Sequence, residues 1–135
     1  MTIHVQIGTR RFLGRLERDA APRSVAFLES LLPLERPIIH ARWSGEAMWS
    51  PFPSTQTLPP ENCTCYPRPG QILIYGGGVS EPEILVPYGA AAFASKAGAL
   101  AGNHVITLID DGQSLAKIGH EVLWAGSQTL RLSLP

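Results

Sequence analysis

The stretch Ile38-Ile39-His40-Ala41-Arg42-Trp43-Ser44-Gly45-Glu46-Ala47-Met48-Trp49-Ser50-Pro51 decides how the chain is read. An apolar β-pattern runs straight into a basic residue, a carboxylate and two indoles. A plain core strand needs none of that polar chemistry, so the stretch marks the wall of a binding pocket. Pro37–Trp43 reads as one strand, and Gly45–Trp49 pairs with it or continues it past a bend. On a straight strand, side chains alternate with period two. His40, Arg42 and Glu46 then share one polar face. Trp43 and Trp49 take the opposite parity, which suits core packing better than a ligand platform.

The same alternation organises the rest of the chain. Ile3, Val5 and Ile7 fall on one face of Thr2–Ile7, Gly8-Thr9 turns, and Arg10–Leu16 returns, giving an N-terminal hairpin. Ala21–Leu32 predicts a helix, with Val25, Leu28, Leu31 and Leu32 at helical spacing, Pro22 in the first turn and Pro33 after the end. A Pro/Ser/Thr-rich loop follows from Pro51 to Pro60. Gln71–Tyr75, Glu83–Tyr88, Asn103–Ile109 and Thr129–Leu134 read as strands. Gly76-Gly77-Gly78 breaks the first of these, and Asp110-Asp111-Gly112 turns the chain. Gly89–Gly102 is Ala/Gly-rich and permits a loose helix, and Leu115–Trp124 predicts a second helix. With Gly 13 and Pro 12 scattered through 135 residues, the pattern is many short strands joined by tight turns. The sum is a mainly β chain, a closed barrel with two helices, in a single domain spanning 1–135.

Composition narrows the function. Lys+Arg and Asp+Glu balance at 11 each, so no basic stripe offers nucleic acid a foothold and no cationic face suits a membrane surface. No run approaches the ~20 apolar residues of a membrane span, and Met1–Ile7 is too short and interrupted for a signal peptide. A soluble, cytoplasmic protein is expected. Cys63 and Cys65 form a Cys-x-Cys with no second pair for a closed zinc site, so two ordinary thiols, no metal and no cofactor are expected.

His40-Ala41-Arg42-Trp43-Ser44-Gly45-Glu46, Pro60-Glu61-Asn62, Pro69-Gly70-Gln71-Ile72-Leu73, Pro87-Tyr88-Gly89 and Gly102-Asn103-His104, in that order, resemble the small bacterial cyclophilin-like proteins. Among these the chain is most similar to an uncharacterised family, a domain of unknown function. The resemblance spans nearly the whole chain and implies a closed eight-stranded barrel with two helices. It extends distantly to peptidyl-prolyl isomerases and to opine synthases of the cucumopine type, which condense histidine with a keto acid. The Phe-His-Arg strand and Gln-x-Gly-Asp segment of the isomerases are missing. Arg42 alone stands where a catalytic arginine would be, so isomerase activity is the weakest reading.

Several side chains carry two readings. Arg42 and Glu46 form either a guanidinium and base facing a substrate or an ion pair across the bend. His104 shares parity with Ile106 and Leu108, which favours a hydrogen-bonded core histidine over an acid/base at a pocket mouth. Lys96 is an anion anchor or a solvated lysine. Glu81 and Glu83 bracket Pro82 as a solvated loop edge or as a carboxylate pair split into acid and base. Ser44 lacks the flanking glycines of a nucleophile elbow, and the triple glycine lacks the residues of a phosphate loop.

Two function classes follow. In the first, a pocket at the barrel mouth takes a carboxylate-bearing metabolite. Arg42 and Lys96 hold the anion, Glu46 and His104 move protons, and Tyr88 and Phe93 form apolar walls; binder and enzyme are both open. In the second, the chain is a non-catalytic module whose Ala/Gly segment serves a homo-oligomer interface.

Overall fold

The structure is a computed structural model that describes residues 1–54, 56–109 and 113–135. Its strands are β1 (Thr2–Ile7), β2 (Arg10–Leu16), β3 (Leu34–His40), β4 (Gly45–Pro51), β5 (Cys63–Thr64), β6 (Gln71–Tyr75), β7 (Glu83–Ala91), β8 (Ala94–Ser95), β9 (Gly98–Ala99), β10 (Gly102–Leu108) and β11 (Gln128–Ser133). The helices are α1 (Pro22–Ser30) and α2 (Gln113–Ala125). The sheet order is β2-β1-β11-β3-β4-β7-β6-β10, and β10 pairs back onto β2 through Ile106–Leu16 and Leu108–Gly14. Every pairing is antiparallel, so the expected eight-stranded closed barrel with two helices is what forms. Two-residue β5 adds to the end of β10 outside the closure.

The alternation seen in the sequence fills the barrel. Ile3, Val5 and Ile7, Leu130 and Leu132, Ile38, Met48, and Ile84 and Val86 are fully buried in one continuous core. α2 packs against β3, β4 and β7, burying Leu115, Ile118 and Val122 in that core. Gly119 permits this approach, because a Cβ there would lie 2.3 Å from the Tyr88 ring. α1 is shorter than predicted. Ala21 is its N-cap and Leu31 its C-cap, and Val25 and Leu28 supply its buried stripe.

Two segments depart from the sequence reading. The strand expected to run to Trp43 ends at His40, and residues 42–44 form a bend before β4. Arg42 and Glu46 therefore do not share a straight strand face. Gly89–Gly102 is not a loose helix. β7 continues to Ala91, and β8 and β9 form a small hairpin. Alanine content favoured helix by propensity alone, but Phe93 and Leu100 are drawn onto the outer face of the sheet, where tertiary burial overrides it. There they form a second core with Ala47, Leu73 and Leu85, against which Ala41, Trp49 and Tyr75 pack. The turn read at Asp110-Asp111-Gly112 lies outside the described residues.

Candidate functional site

β4 and β7 pair with Trp49 opposite Leu85 and Pro51 opposite Glu83. Met48 and Val86 point into the barrel, so Trp49, Leu85 and Glu83 take the outward face. The β8–β9 hairpin and the 42–44 bend border that face and form with it a half-open cavity of about 300 Å³. Its floor is Ile39 and Trp49, neighbours across β3 and β4. Arg42 and Trp43 of the bend and Lys96 of the hairpin turn form one part of the wall, and Ser80, Glu81 and Glu83 another. The volume lies at the lower end of the range of small-molecule sites.

Ser44 ties the two covering segments together. Its buried Oγ accepts from the Ala94 N–H and donates to the Ala94 carbonyl, both at 3.1 Å. The Ala92 N–H donates to the Ser44 carbonyl at 3.1 Å. The serine is a staple between bend and hairpin, in keeping with its lack of nucleophile-elbow flanks.

The electrostatics are uneven. Glu83 is 8% exposed, and among the described residues its carboxyl has no hydrogen-bond or ion-pair partner. Burial, with the Glu81 carboxylate adding repulsion, pushes it up to about 7. Among the described residues no cation offsets that repulsion. Arg42 and Lys96 are exposed at the cavity wall and, among the described residues, form no ion pair. Glu81 is exposed, as a solvated loop edge would be, while Glu83 is buried at the start of β7.

The indoles also differ from their expected role. Trp43 is 57% exposed at the rim and Trp49 is half-buried in the floor, so both line the cavity instead of plugging the barrel. The parity assignment was inverted: Ile39 and Trp49 face the cavity, and His40 faces Tyr88.

The other candidate residues lie elsewhere. Tyr88 is buried in the barrel core, with its hydroxyl 2.7 Å from His40 Nε2. Burial, with Glu46 nearby, raises its phenol above the ordinary value. Glu46 sits at the bulge between β4 and β7, where Gly45 pairs Ala91 and Ala47 pairs Pro87. Its Oε1 accepts from the Ala90 N–H at 3.0 Å and so satisfies backbone that the bulge frees. Phe93 is 1% exposed and backs the cavity from within the second core.

His104 belongs to a separate cluster. A bulge at Val105 breaks the parity with Ile106 and brings His104 and Thr107 to one side of β10. His104 Nε2 is 2.9 Å from Thr107 Oγ1, which donates to Glu17 at 2.7 Å. Burial holds the imidazole below its ordinary value, with Glu17 pulling the other way. Cys63 and Cys65 are free thiols, and among the described residues no three His, Cys, Asp or Glu side chains cluster as a metal would need. No helix among them is long and apolar enough to cross a membrane.

Comparison with known proteins agrees with the architecture. A family model described as a protein of unknown function (DUF3830) matches residues 3–134. No curated protein matches the sequence. Among solved structures, that of McbB in complex with tryptophan superposes with a TM-score of 0.75 at 16% identity. The match covers 97% of this chain and 44% of McbB, so the chain spans less than half the length of that protein. At this identity the likeness is one of fold.

Proposed function

We propose that this chain, which belongs to the DUF3830 family of proteins of unknown function, binds a small carboxylate-bearing molecule in the cavity on the outer face of β3, β4 and β7. The observation that carries the reading is two cations, without ion-pair partners among the described residues, lining one cavity with two indoles. Arg42 offers a planar fork that matches a carboxylate, and Lys96 adds a second positive charge. Trp43 and Trp49 offer flat apolar surface to the ligand's body. A tryptophan complex of McbB, a protein containing a barrel of the same shape, supports small-molecule binding as the kind of task to test first.

Proton chemistry, if the ligand requires it, falls to Glu83 in this reading. Glu46 serves the β4–β7 bulge, and His104 serves the cluster with Thr107 and Glu17. Tyr88 and Phe93 act through packing. The motifs from His40 to Glu46 and from Gly102 to His104 support placing the barrel among bacterial cyclophilin-like folds, as one unit spanning the chain.

A thermal-shift series with 3-phenylpropionate and other aromatic monocarboxylates tests the assignment. The wild type gains stability with ligand concentration. Arg42→Ala requires about tenfold more ligand for the same shift, the loss of one charge-assisted bond. If no carboxylate stabilises the wild type, or Arg42→Ala responds equally, the cavity is not such a site.

A further inference from the structure

The cavity holds charges of both signs, and they are not paired with each other. Glu83 is more than nine-tenths buried, lines the cavity and has no partner among the described residues. Its oxygens open onto the cavity, so whatever fills that space, water or a ligand, is what meets them. The groups around it are few. Glu81 shares its loop, Tyr75 sits opposite on β6, and Pro51 sits opposite on β4. The Tyr75 hydroxyl oxygen accepts from the Val79 and Ser80 N–H groups at 3.0 and 3.3 Å and makes no hydrogen bond to Glu83. Arg36 on β3 donates to the Pro51 carbonyl. Arg42 and Lys96 line the same cavity; among the described residues the charge acting on Glu83 is that of Glu81, and it is repulsive. The cavity thus presents both signs of charge, Glu81 and Glu83 from the loop and start of β7 and Arg42 and Lys96 from the bend and the hairpin.

We propose that Glu83 takes an ammonium group, so that the cavity is built for a zwitterionic small molecule whose carboxylate meets Arg42 and Lys96 and whose ammonium displaces a proton from Glu83. This rests on the carboxylate-binding reading above and adds the second charged group. The proton balance is simple. Below about pH 7 the free protein holds Glu83 mostly protonated; an incoming R–NH3⁺ favours the carboxylate, and the proton leaves to the buffer. An ammonium also interacts favourably with an indole, and Trp49, diagonal to Glu83 across β4 and β7, lines the same cavity.

Calorimetric titration with three probes tests this: phenylalanine, with both charges; 3-phenylpropionate, without the amine; and phenethylamine, without the carboxylate. Each is run at about pH 6 and about pH 8 in buffers of low and high ionisation heat. Phenylalanine is expected to bind more tightly than either truncated probe. It should release close to one proton at the lower pH and gain about tenfold in affinity at the higher. 3-Phenylpropionate should release none and gain nothing. Glu83→Gln should abolish the proton release and the pH dependence for phenylalanine while leaving 3-phenylpropionate bound. If 3-phenylpropionate binds in an Arg42-dependent way but phenylalanine shows no proton release and no pH dependence, the ammonium assignment is overturned and the carboxylate site stands. If neither probe binds, both fall.

Discussion

Trp49 and Glu83 are diagonal neighbours on the outward face of the antiparallel β4–β7 pair, set there by the Trp49–Leu85 and Pro51–Glu83 register. An indole beside a buried carboxyl, under a hairpin stapled to the neighbouring bend, is a poor arrangement for stability alone. Burial of Glu83 has a thermodynamic cost that a plain core residue would avoid.

That cost predicts a pH dependence. Glu83 titrates at about 7 in the fold against an ordinary 4.5. A carboxyl raised on folding contributes no penalty while both states are protonated, below about pH 4.5. Stability is then lost as pH rises through about 7. Each unit is worth about 1.4 kcal/mol, and water at the cavity mouth screens part of it, so a loss of about 2 kcal/mol is expected by pH 8. Urea unfolding at pH 5 and pH 8 measures it. Glu83→Gln should remove most of that difference; an unchanged difference in the variant would assign the effect to other groups.

Ser44→Ala should loosen the cover of the cavity. It leaves the half-buried Ala94 N–H and carbonyl without their 3.1 Å partner, at a cost of about 1 kcal/mol. Affinity for 3-phenylpropionate should fall with it, since Arg42 and Lys96 stand on the two segments the serine joins. Unfolding titrations and calorimetry on the variant check both, and weakened stability with unchanged affinity would mean that the staple does not shape the site.

Gly119→Ala tests the seat of α2. The added methyl meets the Tyr88 ring, which is fixed between the helix and its hydrogen bond to His40. Overpacking of this kind costs about 1–3 kcal/mol. Chemical denaturation should show that loss, while a surface control such as Lys117→Ala should stay within about 0.5 kcal/mol of the wild type.

The barrel was legible because its interior obeys a strict two-residue alternation, from Ile3-Val5-Ile7 through to Leu130-Leu132, bounded by turn residues. The 89–102 segment was not, because alanine content speaks for helix and the pull of Phe93 and Leu100 onto the sheet is a long-range effect. At the site, Arg42 and Lys96 were identified by residue type and both reach the cavity. The polar-face argument joining Arg42 to Glu46 failed because the strand bends after His40, and the indoles were misassigned because this barrel is covered on both sides, so parity alone cannot separate pocket from core. Glu83 carried a readable signal. It opens Glu83-Ile84-Leu85-Val86, a run apolar at successive positions, and a carboxylate heading a strand buried on both faces is itself buried. His104 was misread in parity because a bulge at Val105 leaves no mark in composition.

The central claim is where a ligand sits, and a crystal soaked with 3-phenylpropionate tests it most directly. The account predicts ordered density on the outer face of β3, β4 and β7, with the carboxylate at Arg42 and Lys96 and the ring against Trp43 and Trp49. Density inside the barrel beside Tyr88 and His40, with the outer cavity empty, would contradict it.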